Sequence, residues 1–122
     1  MVTTKINNTT WKISLVRKKE DNEDFYDENG VLCLYGQTNF PTQEIFISNE
    51  VTDERKMLTI IHELTHAFHD IYLASQHIKD KFDEEDICCF MASYSQKILD
   101  LAKVIYFQLK NEEYLEIDID NE

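Results

Sequence analysis

The pentapeptide His62-Glu63-Leu64-Thr65-His66 places two histidines four residues apart. On an α-helix, residues at this spacing lie one turn apart on the same face, so the two imidazoles can converge on one metal ion. Glu63 points to the side of this pair, where its carboxylate can take a proton from an activated water without becoming a ligand. The pentapeptide therefore requires a helix here, with one face kept for chemistry. The alternative interpretation is a charged helix whose histidines are simply solvated.

The residues around the pentapeptide carry the pattern of an amphipathic helix. Thr52 is a hydroxyl N-cap, and Asp53 and Glu54 follow it in the first turn, where the helix dipole favours acids. We predict that this helix runs to about Leu73. Its apolar residues recur every three or four positions and would pack on a sheet. They are Met57, Ile60, Ile61, Leu64, Phe68 and Ile71.

Three segments rich in β-branched and aromatic residues precede this helix. Trp11–Leu15 alternates apolar and polar residues, whereas Val31–Tyr35 and Glu44–Ser48 are short apolar runs that indicate an antiparallel pair. After a polar connection at 74–82, Asp83 opens a second long helix. The pattern predicts an α+β fold in a single domain, residues 1–122. A small N-terminal antiparallel sheet of about three strands would pack on two long helices.

The net charge of −12 comes from two acidic segments, a loop at 20–29 and a tail at 111–122. Each contains six acids and no Lys or Arg, while acids and bases balance in the rest of the chain. Because there is no basic stripe, we expect no direct binding to nucleic acid. The two segments are either solvated surfaces or attract a basic protein, such as a DNA-binding protein. Apolar residues of the tail, from Tyr114 to Ile119, could add a short edge strand.

The cysteines and the apolar runs bear on the compartment. Three cysteines, Cys33, Cys88 and Cys89, are an odd number and do not indicate a disulfide framework. No apolar run approaches the length of a membrane span, and the N-terminal residues lack an apolar signal region. We expect a cytoplasmic protein without a membrane partner.

A catalytic zinc site uses three protein ligands and leaves one position open, so His62 and His66 need a third partner. The acids that open the second helix are the obvious source, and we predict Glu85. Its neighbours on the same helix face are small, which would allow a close approach to the first helix. They are Cys88, Cys89 and Ala92. Glu84 and His69 are alternative ligands, and the helix acids could also serve only the helix dipole.

Other residues could support such a site. Asp70 lies four residues beyond His66, and its carboxylate could orient the His66 ring by accepting a hydrogen bond from it. Asp70 also fits a plain surface acid. A hydrogen-bond donor is needed to stabilise an oxyanion, and Tyr72 and Tyr94 are candidates. Tyr94 also fits the apolar stripe of the second helix.

Three parts of the chain form one combined pattern. They are Gly36 with Glu44-Ile45-Phe46-Ile47, then Glu54-Arg55, Leu58 and Ile61-His62-Glu63-Leu64-Thr65-His66-Ala67, and then Glu85, Cys88-Cys89 and Met91-Ala92. This pattern resembles that of the ImmA/IrrE-type metallopeptidases of phages and other mobile elements. The resemblance covers roughly residues 30–105 and departs at Cys88-Cys89, where the family commonly carries Ala-Asn. It implies a zincin-like fold of the gluzincin type, with Zn²⁺ held by His62, His66 and Glu85. Glu63 is then the general base.

The function implied by the resemblance is a zinc-dependent endopeptidase. Its substrate would be a protein, often a transcriptional repressor of a phage or mobile element. We expect an extended substrate to pair with the Glu44–Ser48 strand by strand addition. A competing hypothesis from another class is a catalytically inactive, peptidase-like binding protein that sequesters a basic partner.

Overall fold

The computed structural model describes residues 1–72 and 83–120, with side chains as far as residue 112. The elements are β1 (Val2–Ile6), β2 (Thr9–Val16), a short 3-10 helix (Glu23–Phe25), β3 (Gly36–Asn39), β4 (Glu44–Ser48), α1 (Asp53–Tyr72) and α2 (Glu84–Asp120). The four strands form one sheet on which the two helices pack, so the predicted α+β class is confirmed. The polar connection predicted at 74–82 lies outside the described residues.

The sheet is mixed and has the strand order β1-β2-β4-β3. The outer pairs β1–β2 and β3–β4 are antiparallel, whereas the central pair β2–β4 is parallel. We had expected about three strands in an antiparallel arrangement. The strands predicted at Trp11–Leu15 and Glu44–Ser48 are confirmed within β2 and β4. They run in parallel because the chain passes through segment 17–35 and β3 before it enters β4.

The strand β1 was not predicted, although its turn is visible in the sequence. It pairs with β2 through a two-residue turn at Asn7 and Asn8, whose φ angles are 47° and 66°. Positive φ at both central residues is typical of the type I′ hairpin turn, and asparagine adopts it at low cost. The Asn-Asn pair between two β-branched runs was therefore a usable hairpin signal.

The segment Val31–Tyr35 is not a strand, contrary to the prediction, and β3 begins directly after it. Its backbone donors bond instead to the acidic loop. The N–H of Val31 donates to the Asp27 carboxylate at 2.9 Å, and the N–H of Cys33 donates to the Phe25 carbonyl at 2.7 Å. The acidic loop thus uses the groups that a strand would have paired with its neighbour.

Both helices begin close to the predicted residues. The Thr52 hydroxyl accepts a hydrogen bond from the N–H of Arg55 at 3.2 Å, which caps α1 as predicted. At the start of α2, the side chains of Asp83 and Asp86 each accept a hydrogen bond from the other residue's N–H. α2 continues to Asp120, so the prediction of an edge strand in the tail is wrong. No Gly or Pro follows residue 41, so nothing in this part of the sequence breaks a helix.

The two helices run antiparallel beside the sheet. Lys110, late in α2, donates a hydrogen bond to Asp53 at the start of α1 (2.9 Å), and Phe90 contacts the His69 ring near the end of α1. The core between sheet and helices includes Trp11, Ile13, Ile45, Ile47, Ile60, Leu64, Phe68, Ile98, Ile105 and Leu109. Neither helix, over its described residues, carries an apolar stretch long enough to cross a membrane.

Candidate metal centre

His62 and His66 lie one turn apart on an exposed face of α1. Their Nε2 atoms are 3.3 Å apart, and the ring planes meet at 74°. Two nitrogens bound to one tetrahedral zinc ion, each at about 2.0–2.1 Å, are separated by about 3.4 Å. The helix therefore brings the two imidazoles to the spacing that a shared zinc ion requires.

Glu63 lies beside the histidines and is buried, with 6% of its surface exposed. Its Oε1 accepts a hydrogen bond from the Thr38 hydroxyl of β3 at 2.8 Å, and its Oε2 lies 4.0 Å from His62 Nε2. One carboxylate oxygen is thus held by the sheet, while the other faces the histidines. A carboxylate held in this way can accept a proton next to the position where a metal would bind.

Gly36 of β3 provides the room that Glu63 occupies. A β-carbon at residue 36 would lie 2.9 Å from both Cγ and Oε2 of Glu63, and 2.6 Å from Cγ2 of Thr59. The Thr59 hydroxyl donates to the Arg55 carbonyl at 2.7 Å, which fixes the side chain with its methyl group toward Gly36. The absence of a side chain at residue 36 therefore allows β3 to approach the face of α1 that carries Thr59 and Glu63.

A cleft of about 490 Å³ opens in front of Glu63. It is lined by Tyr35, Gly36, Arg55, Leu58, Thr59, His62 and Glu63. No role was predicted for Tyr35, Thr38 or Arg55. The four-residue and three-residue steps from Arg55 to Thr59 to His62 could have shown that these α1 residues share a face. The contact of Thr38 depends on how β3 docks, for which the sequence carries no comparable signal.

The predicted third ligand, Glu85, does not join the histidines in the structure. Among residues 1–72 and 83–120, no group of three His, Cys, Asp or Glu side chains is placed to hold a metal ion. Glu85 is exposed and precedes Phe90, the residue that contacts His69, by five positions, or about 7.5 Å of helix. Because the helices are antiparallel, this displacement leads away from His66. The alternatives Glu84 and His69 are likewise not grouped with the pair.

The proposed supporting residues also lie apart from the cleft. The rings of Tyr72 and Tyr94 stack on each other with centroids 4.4 Å apart, and both pack against the core. Neither ring lines the cleft in front of Glu63. Asp70 is half-buried on α1, and no described hydrogen bond joins it to His66. The oxyanion donor predicted at Tyr72 or Tyr94 therefore has no counterpart in the cleft geometry.

The strand that could pair with a substrate is β3 rather than β4. β4 is bonded to β2 on one side and to β3 on the other, so it has no free edge. β3 is the edge strand, and its residue Thr38 contacts Glu63. The acidic loop is attached to this strand, because Gln37 exchanges hydrogen bonds with Asn22 and Asp24. The acidic loop is thus attached to the edge strand at Asn22 and Asp24.

Comparison with known families identifies the chain. The model of the Peptidase_M78 family, described as the IrrE N-terminal-like domain, matches residues 14–94. The match extends from β2 through β3, β4 and α1 to the first third of α2, and so includes the histidine pair, Glu63 and the cleft. Comparisons with curated proteins and with solved structures gave no match. The ImmA/IrrE resemblance is confirmed, and the chain belongs to the Peptidase_M78 family, whose members are usually metallopeptidases.

Proposed function

We propose that the protein is a zinc-dependent endopeptidase in which His62 and His66 bind the metal and Glu63 is the general base. The observation that carries this proposal is the convergence of the two Nε2 atoms at 3.3 Å beside a buried carboxylate. A solvated pair of histidines would need no such carboxylate next to it. A zinc ion bound there would supply Lewis-acid activation of a water molecule and of the peptide carbonyl.

Glu63 has the arrangement that a general base needs. The Thr38 hydroxyl holds Oε1, so Oε2 is the oxygen that can take the proton of the attacking water and return it to the leaving amine. Burial among Gly36 and Thr59 restricts the carboxylate to this orientation. The chain therefore supplies a fixed acceptor rather than a mobile surface acid.

The third zinc ligand remains a prediction. We propose Glu85 on the family resemblance alone, because the described side chains do not group it with His62 and His66. The test is the zinc affinity of Glu85→Gln beside that of Glu84→Gln, which removes an equal charge one residue away. We expect the affinity to fall at least tenfold for Glu85→Gln and to stay unchanged for Glu84→Gln. A lower zinc affinity for Glu84→Gln alone would assign the ligand to Glu84. Unchanged affinities of both variants would leave His69 as the alternative ligand.

The substrate we propose is a basic regulatory protein, such as a DNA-binding repressor of a phage or mobile element. Two features support it: the acidic loop is attached to β3 through Gln37, and β3 offers a free edge to an extended peptide.

The three free, exposed cysteines fit a reducing compartment, and we propose the cytoplasm.

The variant Glu63→Gln tests the proposed function. Glutamine keeps the size of the side chain but cannot accept the proton, so the variant should retain zinc and lose cleavage of proteins captured from the host. The captured proteins are identified on the Glu63→Gln protein and then offered to both forms. Cleavage by the wild type alone supports the peptidase. Equal activity of the two forms in cells, without cleavage, would support the inactive binding protein instead.

A further inference from the structure

We infer that Arg55 determines the specificity of the cleft by binding a carboxylate of the substrate about three residues from the scissile bond. This inference rests on the proposed peptidase function. It assigns the recognition of a substrate carboxylate to Arg55, a residue that lies apart from the histidines and Glu63. The argument comes from the position of Arg55, from its charge and from its contact with Tyr35.

The position of Arg55 places it within reach of a bound peptide. It lines the cleft together with Thr59, His62 and Glu63, on the same face of α1. His62 lies seven positions after Arg55, which corresponds to about 10.5 Å along the helix. An extended peptide advances by about 3.3 Å per residue, so the substrate side chain opposite Arg55 lies about three residues from the bond opposite His62.

Among the described residues, no acid neutralises the charge of Arg55. The side chain is exposed, and none of the carboxylates that the structure describes forms an ion pair with it. This is notable in a chain with 24 acids and 12 bases. Nearby, Lys56 is buried and donates to the Asn49 side chain at 2.7 Å, so its amine is already used inside the protein. Arg55 is therefore the lining residue that offers a permanent positive charge to a ligand.

Tyr35 holds the guanidinium in the cleft. The Arg55 Cζ lies 5.4 Å from the centre of the Tyr35 ring, within cation–π distance. The ring restricts the movement of the guanidinium and leaves its N–H donors free for hydrogen bonds. A planar, pre-oriented guanidinium binds a carboxylate through two parallel hydrogen bonds, which a lysine cannot do. The Arg55–Tyr35 pair thus forms a pre-oriented binding site for a carboxylate.

A peptide offers two sources of carboxylate, an acidic side chain and the free C-terminus. Two synthetic peptide libraries with randomised sequences separate them, one with free and one with amidated C-termini. Mass spectrometry of the products locates the cleavage sites for the wild type, Arg55→Glu, Glu63→Gln and Lys103→Glu. Lys103 is an exposed residue of α2 outside the cleft lining, so Lys103→Glu matches the charge change of Arg55→Glu elsewhere on the surface.

We expect the wild type and Lys103→Glu to prefer Asp or Glu about three residues from the cleaved bond in both libraries. Arg55→Glu should lose this preference and gain one for Lys or Arg. For a matched pair of peptides with Glu or Gln at that position, the wild type should favour Glu by about tenfold in kcat/KM, mainly through KM. Cleavage at a fixed distance from the C-terminus, seen only with free termini, would assign the carboxylate to the terminus.

The outcomes distinguish the role of Arg55 from the proposed peptidase function. Cleavage by the wild type without any acidic or terminal preference, or an unchanged preference in Arg55→Glu, would overturn the role of Arg55 and leave the peptidase intact. If the wild type cleaves no more than Glu63→Gln, the proposed function fails and the role of Arg55 fails with it. Arg55→Gln repeats the comparison with a neutral side chain if Arg55→Glu does not fold, as judged by its thermal unfolding.

Discussion

Replacing Gly36 with alanine should damage the site through a steric overlap that the distances define. The new methyl carbon would lie 2.6 Å from Thr59 Cγ2 and 2.9 Å from Cγ and Oε2 of Glu63. Unstrained carbon–carbon contacts are about 3.5–4.0 Å, so the overlap is about 1 Å on two sides. Overpacking of this kind costs about 1–3 kcal/mol. Because the φ angle of Gly36 lies outside the left-handed region, the cost comes from these contacts alone.

Urea unfolding and peptide cleavage, measured on the same samples, separate the two parts of this effect. Thr59→Ser removes Cγ2, so Gly36→Ala combined with Thr59→Ser should regain part of the unfolding free energy. The contacts with Glu63 remain in the double variant, so cleavage should stay low.

Gly30→Ala is the matched control for Gly36→Ala. Gly30 has a φ of 79° and no atom within 4 Å of an added β-carbon, so alanine there strains the backbone without touching the site. It should cost about 1–2 kcal/mol of stability and leave cleavage per folded molecule unchanged. The steric reasoning is refuted if Gly36→Ala is as stable and as active as the wild type.

Two further predictions concern hydrogen bonds. Thr38→Val removes the donor to Glu63 Oε1, so kcat should fall about tenfold with zinc binding retained, while Thr38→Ser should restore cleavage; equal rates for Val and Ser would contradict the role of the hydroxyl. The hydrogen bond from Lys110 holds the pKa of Asp53 below its usual value, so its contribution to stability is present above about pH 4 and is lost as the pH falls further. The Tm of Asp53→Asn should therefore be lower than that of the wild type at pH 7, and the difference should shrink as the pH falls below about 4. A Tm difference that does not shrink as the pH falls, or one of the same size in Asp100→Asn, would contradict this.

The parts of the fold that were predicted are those defined by local patterns. The α1 helix has a capping threonine and a regular apolar stripe, and β2 and β4 have β-branched residues at strand length. The error at Val31–Tyr35 has a different origin, because that run is apolar but exposed, and its backbone is bonded to the acidic loop. Composition alone does not show which acceptor a backbone N–H will bond to.

The residues of the site also differ in how far the sequence predicts their positions. The positions of His62, Glu63 and His66 relative to one another follow from the geometry of one helix. The support from Gly36 and Thr38 depends on the docking of β3, a contact between residues more than twenty positions apart in the chain. Such contacts arise from tertiary packing and leave no periodic signal in the sequence.

The most direct test of the metal centre is the zinc content of the purified protein after exposure to zinc and removal of excess metal. We predict about one zinc ion per chain for the wild type and for Glu63→Gln, and a loss of bound zinc for His66→Ala. His66 is exposed, so this substitution should leave the circular dichroism spectrum unchanged. Zinc retained at the same level by a folded His66→Ala protein, or a wild type that binds none, would contradict the account.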